Sequence, residues 1–252
     1  MILFLILVGG ILIIFKVIDN GNHYKIAVNT ENLILGHSHT MSAFNDSIIE
    51  KTLNLSDNGE NYFYTFVKLK KILKSNKSIK NVFISFTNNQ INSSYDSATI
   101  WSNKYINYRY PKYAANFSKD EFYVLLKNNP IAVLKAQQSA IKNNLHLVFD
   151  DEKKIVKGAY WGGFNYLERN KTDSLIKTLG KNKPLKEFEY GVVTLKYLDE
   201  IITLCNESKT NIYLVRSPLH EKCKGLNNEY FLKKILKERY PDVAFLDFKN
   251  FL

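Results

Sequence analysis

The sequence predicts an α/β fold built on a parallel sheet. Short apolar segments rich in β-branched and aromatic residues alternate with longer segments of helical periodicity. This alternation makes each helix a crossover between strands, and such crossovers are right-handed in parallel sheets. We therefore expect a three-layer α/β/α architecture with about five parallel strands. The predicted strands are 32–35, 52–55, 82–86, 211–215 and 243–246.

The helices between these strands are predicted from apolar periodicity and from end signals. The first covers residues 62–73. Another begins at Ser118, whose capping-box partner Glu121 lies three residues on, and a third begins at Pro130, a first-turn residue. The set is completed by 192–207 and 227–239. Strands and helices in this order indicate a flavodoxin-like arrangement.

The densest run of lysines overlaps the first of these helices. Its apolar side chains recur at helical spacing, on Tyr62, Phe66, Leu69 and Leu73. The lysines are Lys68, Lys70, Lys71, Lys74, Lys77 and Lys80. Interleaving of this kind predicts an amphipathic helix whose lysine face is solvated.

Length and charge restrict the class of protein. The 252 residues are 45% hydrophobic, enough for one globular domain, which we place at 25–252 and expect to be a monomer. A net charge of +11 favours anionic partners such as acidic glycans or phospholipid head groups. Nucleic acid is not expected as a partner, because the lysines are dispersed and neither zinc-finger spacing nor an aromatic RNA-binding signature occurs.

The amino-terminal segment predicts a membrane anchor. Met1–Phe15 holds no charged side chain and is almost wholly Leu, Ile, Val and Phe. A helix through Ile18 would span roughly 27 Å, close to the hydrocarbon thickness of a bilayer. A cleaved signal peptide is less favoured, since no small-residue cleavage site follows, and a buried core helix is the other alternative. We expect residues 1–18 to anchor a domain that lies outside the cytoplasm.

A serine between two histidines follows the first predicted strand. The strand Asn32–Leu35 ends at Gly36, and His37, Ser38 and His39 come next. A turn at the carboxyl end of a parallel strand displays its side chains, so Ser38 is placed as a nucleophile would be. His37 and His39 are predicted to line the pocket and not to bind zinc, because residues i and i+2 of an extended chain point to opposite sides.

The segment around Ser38 resembles the first block of the SGNH (GDSL-like) hydrolase superfamily, with His37 in place of the family aspartate. Asn54–Glu60 resembles the second block, which would make the Gly59 backbone N–H an oxyanion donor. Val82–Asn89 resembles the third, with Phe86 for the family glycine and Asn89 for its aspartate. The resemblance implies that the Asn88 side chain and the Ser38 and Gly59 N–H groups hold the oxyanion.

The fourth block matches least well. The family base lies in an Asp-x-x-His, and the one late histidine is His220, with Ser217 at the aspartate position. Two interpretations remain open. In one, His220 is the general base. In the other, the base lies in an Asp-x-x-His beyond residue 252, and the chain as given would hydrolyse poorly.

A long insertion, about residues 92–190 and largely helical, is not explained by these blocks. It holds two segments rich in aromatic residues and amides, 101–110 and 160–166, which suit a glycan groove. Core packing is the alternative for these aromatic residues. We name Trp161 and Asn89 with the two flanking histidines as candidate substrate-binding residues, and we expect neither metal nor cofactor.

The residues and the resemblance together predict a serine esterase or O-acyltransferase for acyl esters, in first place acetyl esters, of a cell-surface carbohydrate or other acylated surface polymer. The alternative is a catalytically degenerate SGNH-like domain that binds an anionic glycan or a partner in surface-polymer assembly. Departures at His37, Phe86, Asn89 and Ser217 favour the alternative.

Overall fold

A computed structural model describes residues 24–149, 161–168, 170–171, 173–174, 188–219 and 228–251. Within these ranges the chain forms a five-stranded sheet in which every neighbouring pair is parallel. The strand order is β2-β1-β3-β4-β5, the order of doubly wound flavodoxin-like sheets. The strands are β1 Asn32–Leu35, β2 Thr52–Asn54, β3 Asn81–Ser85, β4 Asn211–Arg216 and β5 Ala244–Asp247.

Helices occupy most of the connections between the strands. A 3₁₀ turn, Ala114–Asn116, follows α4. The α-helices are α1 Ser38–Ala43, α2 Tyr62–Ser75, α3 Ser93–Thr99, α4 Asn103–Tyr113, α5 Lys119–Asn128, α6 Pro130–Phe149, α7 Val192–Glu207 and α8 Glu229–Arg239.

The predicted parallel α/β architecture is confirmed, and the predicted strand ends differ from the observed ones by one residue or none. The capping box at the start of α5 is also present. The Ser118 hydroxyl accepts from the Glu121 N–H, and the Glu121 carboxylate accepts from the Ser118 N–H. Helix α6 begins at Pro130 as the sequence predicted.

One face of the sheet is covered by α2 and α7. The core there is aromatic: the Phe63 ring of α2 meets the Tyr197 ring of α7 edge to face, with centroids 4.8 Å apart. Leu33, Leu35 and Ile84 point into this layer and are fully buried. Burial of this apolar surface is the main force that holds the helices to the sheet.

The opposite face of the sheet is less completely buried. Phe83 and Tyr213 stack on it with centroids 4.9 Å apart, and both are only partly buried. Phe44 and Ile49, from the connection between β1 and β2, line an apolar groove of about 200 Å³ on this face. Towards the amino ends of the strands, side-chain amides run across the sheet, with Asn211 donating to Asn81 and Asn81 to Asn32.

The prediction of a solvated lysine face on α2 is wrong for Lys68, which is fully buried, whereas Lys74 is exposed as predicted. Lys68 lies on the core side of α2 because buried acceptors surround its ammonium group. Three groups accept from its Nζ: the Glu60 carboxylate at 2.9 Å and the carbonyls of Leu55 at 2.6 Å and Trp161 at 2.9 Å.

The predicted anchor, residues 1–18, lies outside the described residues. Among the residues that are described, no helix combines the length and the apolar character needed to cross a membrane.

Candidate active site

Ser38 is the first residue of α1, directly beyond the carboxyl end of β1. Strand β1 lies between β2 and β3. The chain runs from β1 to β2 on one side of it and then crosses to β3 on the other side. The loops after β1 and β3 therefore diverge, which in open α/β sheets creates the crevice where ligands bind. Ser38 is half-buried at this crevice.

Gly36 permits the turn that displays Ser38. A Cβ at this position would lie 2.3 Å from the Ser85 Cβ and 2.5 Å from the Thr40 Oγ1. The Thr40 hydroxyl is itself fixed, since it donates to the His37 carbonyl at 2.9 Å. No side chain larger than hydrogen fits between β3 and α1, so glycine is required by close approach.

His37 caps α1 and is not available as a general base. Its Nδ1 accepts from the His39 N–H at 3.0 Å, so the neutral ring carries its proton on Nε2, which donates to the Thr87 hydroxyl at 2.9 Å. Burial, with a smaller contribution from His39, holds the pKa of His37 well below the ordinary value of 6.5. His37 is therefore a neutral cap of α1.

The capping role of His37 predicts a pH dependence of stability. Because the folded-state pKa is depressed, the unfolded chain binds one more proton below about pH 6.5, and stability falls as pH decreases. We expect the His37 contribution to approach a slope of about 1.4 kcal/mol per pH unit. Urea unfolding from pH 7.5 to 5 would measure it. His37→Asn keeps a cap oxygen and removes the titration, so its profile should be flatter; an unchanged slope would contradict the assignment.

No hydrogen bond joins the Ser38 hydroxyl to a histidine or carboxylate among the described residues. His39 is exposed, and its ring meets that of His37 edge to face at 4.5 Å. The predicted base, His220, lies outside the described residues. The structure thus displays the candidate nucleophile without a hydrogen-bonded base among the described residues.

Gly59 lies in the loop after β2, close to the turn of Ser38. The Asp57 N–H donates to the Gly36 carbonyl at 3.0 Å and ties this loop to the end of β1. Gly59 has φ +67°, and a Cβ there would lie 2.1 Å from the Tyr105 hydroxyl. Within the described ranges the backbone N–H groups of Ser38 and Gly59 have no acceptor, so both donors stay free for a ligand.

A buried network of charges holds the loop after β2. Arg109 of α4 donates to Glu60 at 3.2 Å, to Asp57 at 3.1 Å and to the Asn58 carbonyl at 2.7 Å. Burial raises the pKa of the Asp57 carboxyl, but Arg109, Lys112 and Lys68 outweigh it and leave that pKa below its usual value. This network was not predicted from the sequence. Its two signs in the sequence are a lysine between apolar stripe positions on α2 and an arginine in an aromatic segment.

Asn88 and Asn89 follow β3, and both side chains already have hydrogen-bond partners. The Asn88 Nδ2 donates to Glu229 at 3.0 Å, and its Oδ1 accepts from Arg216 at 3.3 Å. Asn89 accepts from the Thr87 hydroxyl. The structure therefore places the candidate oxyanion amide at the β3–β4 side of the crevice and connects it to α8.

Arg216 organises that side. It is buried at the end of β4 and donates to Asp247 at the end of β5 and to Glu229 at the start of α8. Hydrogen bonding to Arg216 lowers the pKa of Asp247. Charge-assisted bonds of this kind fix the carboxyl edge of β4 and β5.

Trp161, a candidate substrate-binding residue, is only 8% exposed. Its ring lies 4.6 Å from that of Tyr24 and 5.6 Å from that of Tyr113. The ring is part of the core, and the next three residues, Gly162–Phe164, continue along the crevice side of the loop after β2. In the described ranges, no group of three or more His, Cys, Asp or Glu side chains is arranged to hold a metal ion.

No protein-family model matches the chain, and no curated protein matches it. Fold and site define a class: a parallel α/β protein that displays a serine at the switch point of its sheet, with free backbone N–H donors nearby.

Proposed function

We propose that this protein is an SGNH-like serine esterase or O-acyltransferase that acts on acyl esters, in first place acetyl esters, of a cell-surface carbohydrate. The proposal is carried by the position of Ser38, half-buried beyond the carboxyl end of β1 and held there by the glycine turn. A nucleophile needs this exposure beside a crevice, and the β1/β3 switch point supplies the crevice.

In the proposed mechanism the Ser38 hydroxyl attacks the acyl carbonyl, and a histidine accepts its proton. His220 is the candidate for that base. The free N–H groups of Ser38 and Gly59 would donate to the developing oxyanion. Asn88 would donate the second proton of its Nδ2 to the same oxyanion, because the first is donated to Glu229. Attack of water on the acyl-enzyme gives hydrolysis, and attack of a sugar hydroxyl gives transfer.

Two further parts of the proposal concern where the protein works. Residues 1–18 would anchor it in a membrane, with the α/β domain outside the cytoplasm. That location suits modification of an exported polymer, and the expected state is a monomer.

Labelling of the full chain with a fluorophosphonate probe tests the proposed function. We expect labelling of the parent chain and its loss in Ser38→Ala, because the probe reports an activated serine hydroxyl. Ser42→Ala, one turn later on the same helix, is the matched control and should label normally. His220→Ala should lower labelling by about a hundredfold if His220 is the base. Labelling that persists in Ser38→Ala would overturn the proposal.

The alternative is a degenerate SGNH-like domain that binds a glycan or an assembly partner. The observation in its favour is that, among the described residues, no base is hydrogen-bonded to the Ser38 hydroxyl. A folded parent chain that fails to label and hydrolyses no acetyl ester, yet binds a glycan, would establish this alternative.

A further inference from the structure

A cleft of about 610 Å³ begins one helical turn from Ser38. Its walls are the end of α1 and the following loop, with Met41, Asn45 and Asp46, and the segment after Trp161, with Phe164 and Asn165. Met41 is residue i+3 from Ser38, so the two side chains lie on the same side of α1. A volume of this size is typical of small-molecule sites and accommodates several sugar units.

The outer wall of the cleft is fixed by backbone contacts. The Asn165 N–H donates to the Met41 carbonyl at 3.0 Å, and the Gly163 N–H donates to the Ser56 carbonyl at 3.0 Å. Gly162 has φ +108°, and a Cβ there would lie 2.3 Å from the Ser56 carbonyl oxygen. The buried Lys68 ammonium holds the preceding carbonyl, that of Trp161. The wall is thus preformed.

The polar groups that line this cleft suit hydroxyls. One oxygen of Asp46 accepts from the Asn54 N–H at 2.8 Å, and the other has no partner among the described residues. Asn45 uses its carbonyl oxygen for Ser47 and leaves its amide N–H₂ free. The Asn165 amide is exposed and unengaged, and Phe164 is half-buried. Carboxylate acceptors, amide donors and an aromatic face are the groups that bind a ring with several hydroxyls.

The charge of the cleft selects against anions. No lysine or arginine is among its described lining residues, and Asp57 is already paired with Arg109 and Lys112. The free oxygen of Asp46 would repel a carboxylate or sulfate on the ligand. The net charge of the chain is positive, but this cleft is not where that charge is concentrated.

We propose that this cleft binds a neutral oligosaccharide and presents its esterified or free hydroxyl to Ser38, an inference that rests on the proposed function. The ligand class is an uncharged glycan of two or three sugar units, bound in the cleft that the end of α1 and the segment Gly162–Asn165 line.

Calorimetric titration of the full Ser38→Ala chain, purified without sugar-based additives, tests the cleft separately from catalysis. The probes are the neutral trisaccharides cellotriose, maltotriose and N-acetylchitotriose, with trigalacturonic acid as the anionic counterpart. We expect one or more neutral probes to bind and the anionic one to bind at least about tenfold more weakly. Phe164→Ala should weaken binding about tenfold, whereas Tyr166→Ala, an exposed aromatic residue outside the cleft, should not.

Asp46→Asn tests whether the negative charge of Asp46 sets the preference of the cleft for neutral ligands. The substitution keeps an oxygen for the Asn54 N–H and removes the negative charge, so the preference for neutral over anionic probes should shrink. Absence of binding by every neutral probe, or equal losses in Phe164→Ala and Tyr166→Ala, would overturn the cleft assignment and leave fluorophosphonate labelling of the parent chain intact. Binding without any labelling would instead count against the esterase proposal alone.

Discussion

Replacement of Lys68 by Met is expected to lower the free energy of unfolding by about 3 kcal/mol. The ammonium group is fully buried and satisfies the Glu60 carboxylate and two backbone carbonyls. Its loss would leave Glu60 with Arg109 as its remaining cation and would remove a buried donor from two backbone carbonyls. Equilibrium urea unfolding, followed by circular dichroism, measures the change.

Lys74→Met is the matched control for this experiment, since Lys74 lies on the same helix and is exposed. Its substitution should change stability by less than about 0.5 kcal/mol. The addition of Glu60→Gln to Lys68→Met should recover part of the loss, because the amide keeps an acceptor oxygen and removes one carboxylate from a cluster that has lost its ammonium group. If Lys68→Met proves as mild as the control, the buried ion pair does not hold the loop after β2.

Gly36→Ala is expected to destabilise the fold by about 2 to 3 kcal/mol and to abolish labelling of Ser38. The new methyl group would overlap the Ser85 Cβ and the Thr40 hydroxyl, so β3 and α1 must separate. Displacement of the Thr40 hydroxyl would break its bond to the His37 carbonyl and move the serine. Thermal unfolding together with probe labelling would report both effects.

The corresponding control is Gly191→Ala, at the start of α7. Its nearest contact, the Asp96 carboxylate oxygen, lies 3.0 Å from the added Cβ, so a small shift suffices. We expect this variant to label normally. A Gly36→Ala chain that labels as well as Gly191→Ala would show that the close approach is not what places Ser38.

The parts of the fold that depend on local pattern could be predicted from the sequence. Each strand is a short apolar run, and its ends follow from side-chain chemistry within a few residues, as do the starts of α5 and α6 at Ser118 and Pro130. The parallel direction of the strands follows from the helices between them, and right-handed crossovers leave only a few possible topologies. These features need no knowledge of distant residues.

The electrostatics of the site could not be predicted in this way. From the sequence, Lys68 is assigned to a solvated lysine face, and only the fold brings Glu60 and the carbonyl of Trp161 to it. Asn88 is predicted as an oxyanion donor from a resemblance, but its amide is shared with Arg216 and Glu229, residues that lie far along the chain. His37 becomes a neutral cap only through burial and Thr87. Each role depends on tertiary contacts, which no short motif encodes.

The network around Lys68 also limits how the chain can be shortened. Lys68 and Trp161 are separated by 93 positions, and Glu60 and Arg109 by 49, so distant segments close one charge cluster. Contacts of such long range make a folding unit cooperative and slow to assemble. Excision of the segment that carries Arg109 and Trp161 would remove the guanidinium group that pairs with Glu60 and the carbonyl that accepts from Lys68. The segment that carries Arg109 and Trp161 is therefore not a detachable accessory but a structural requirement of the loop that carries Gly59.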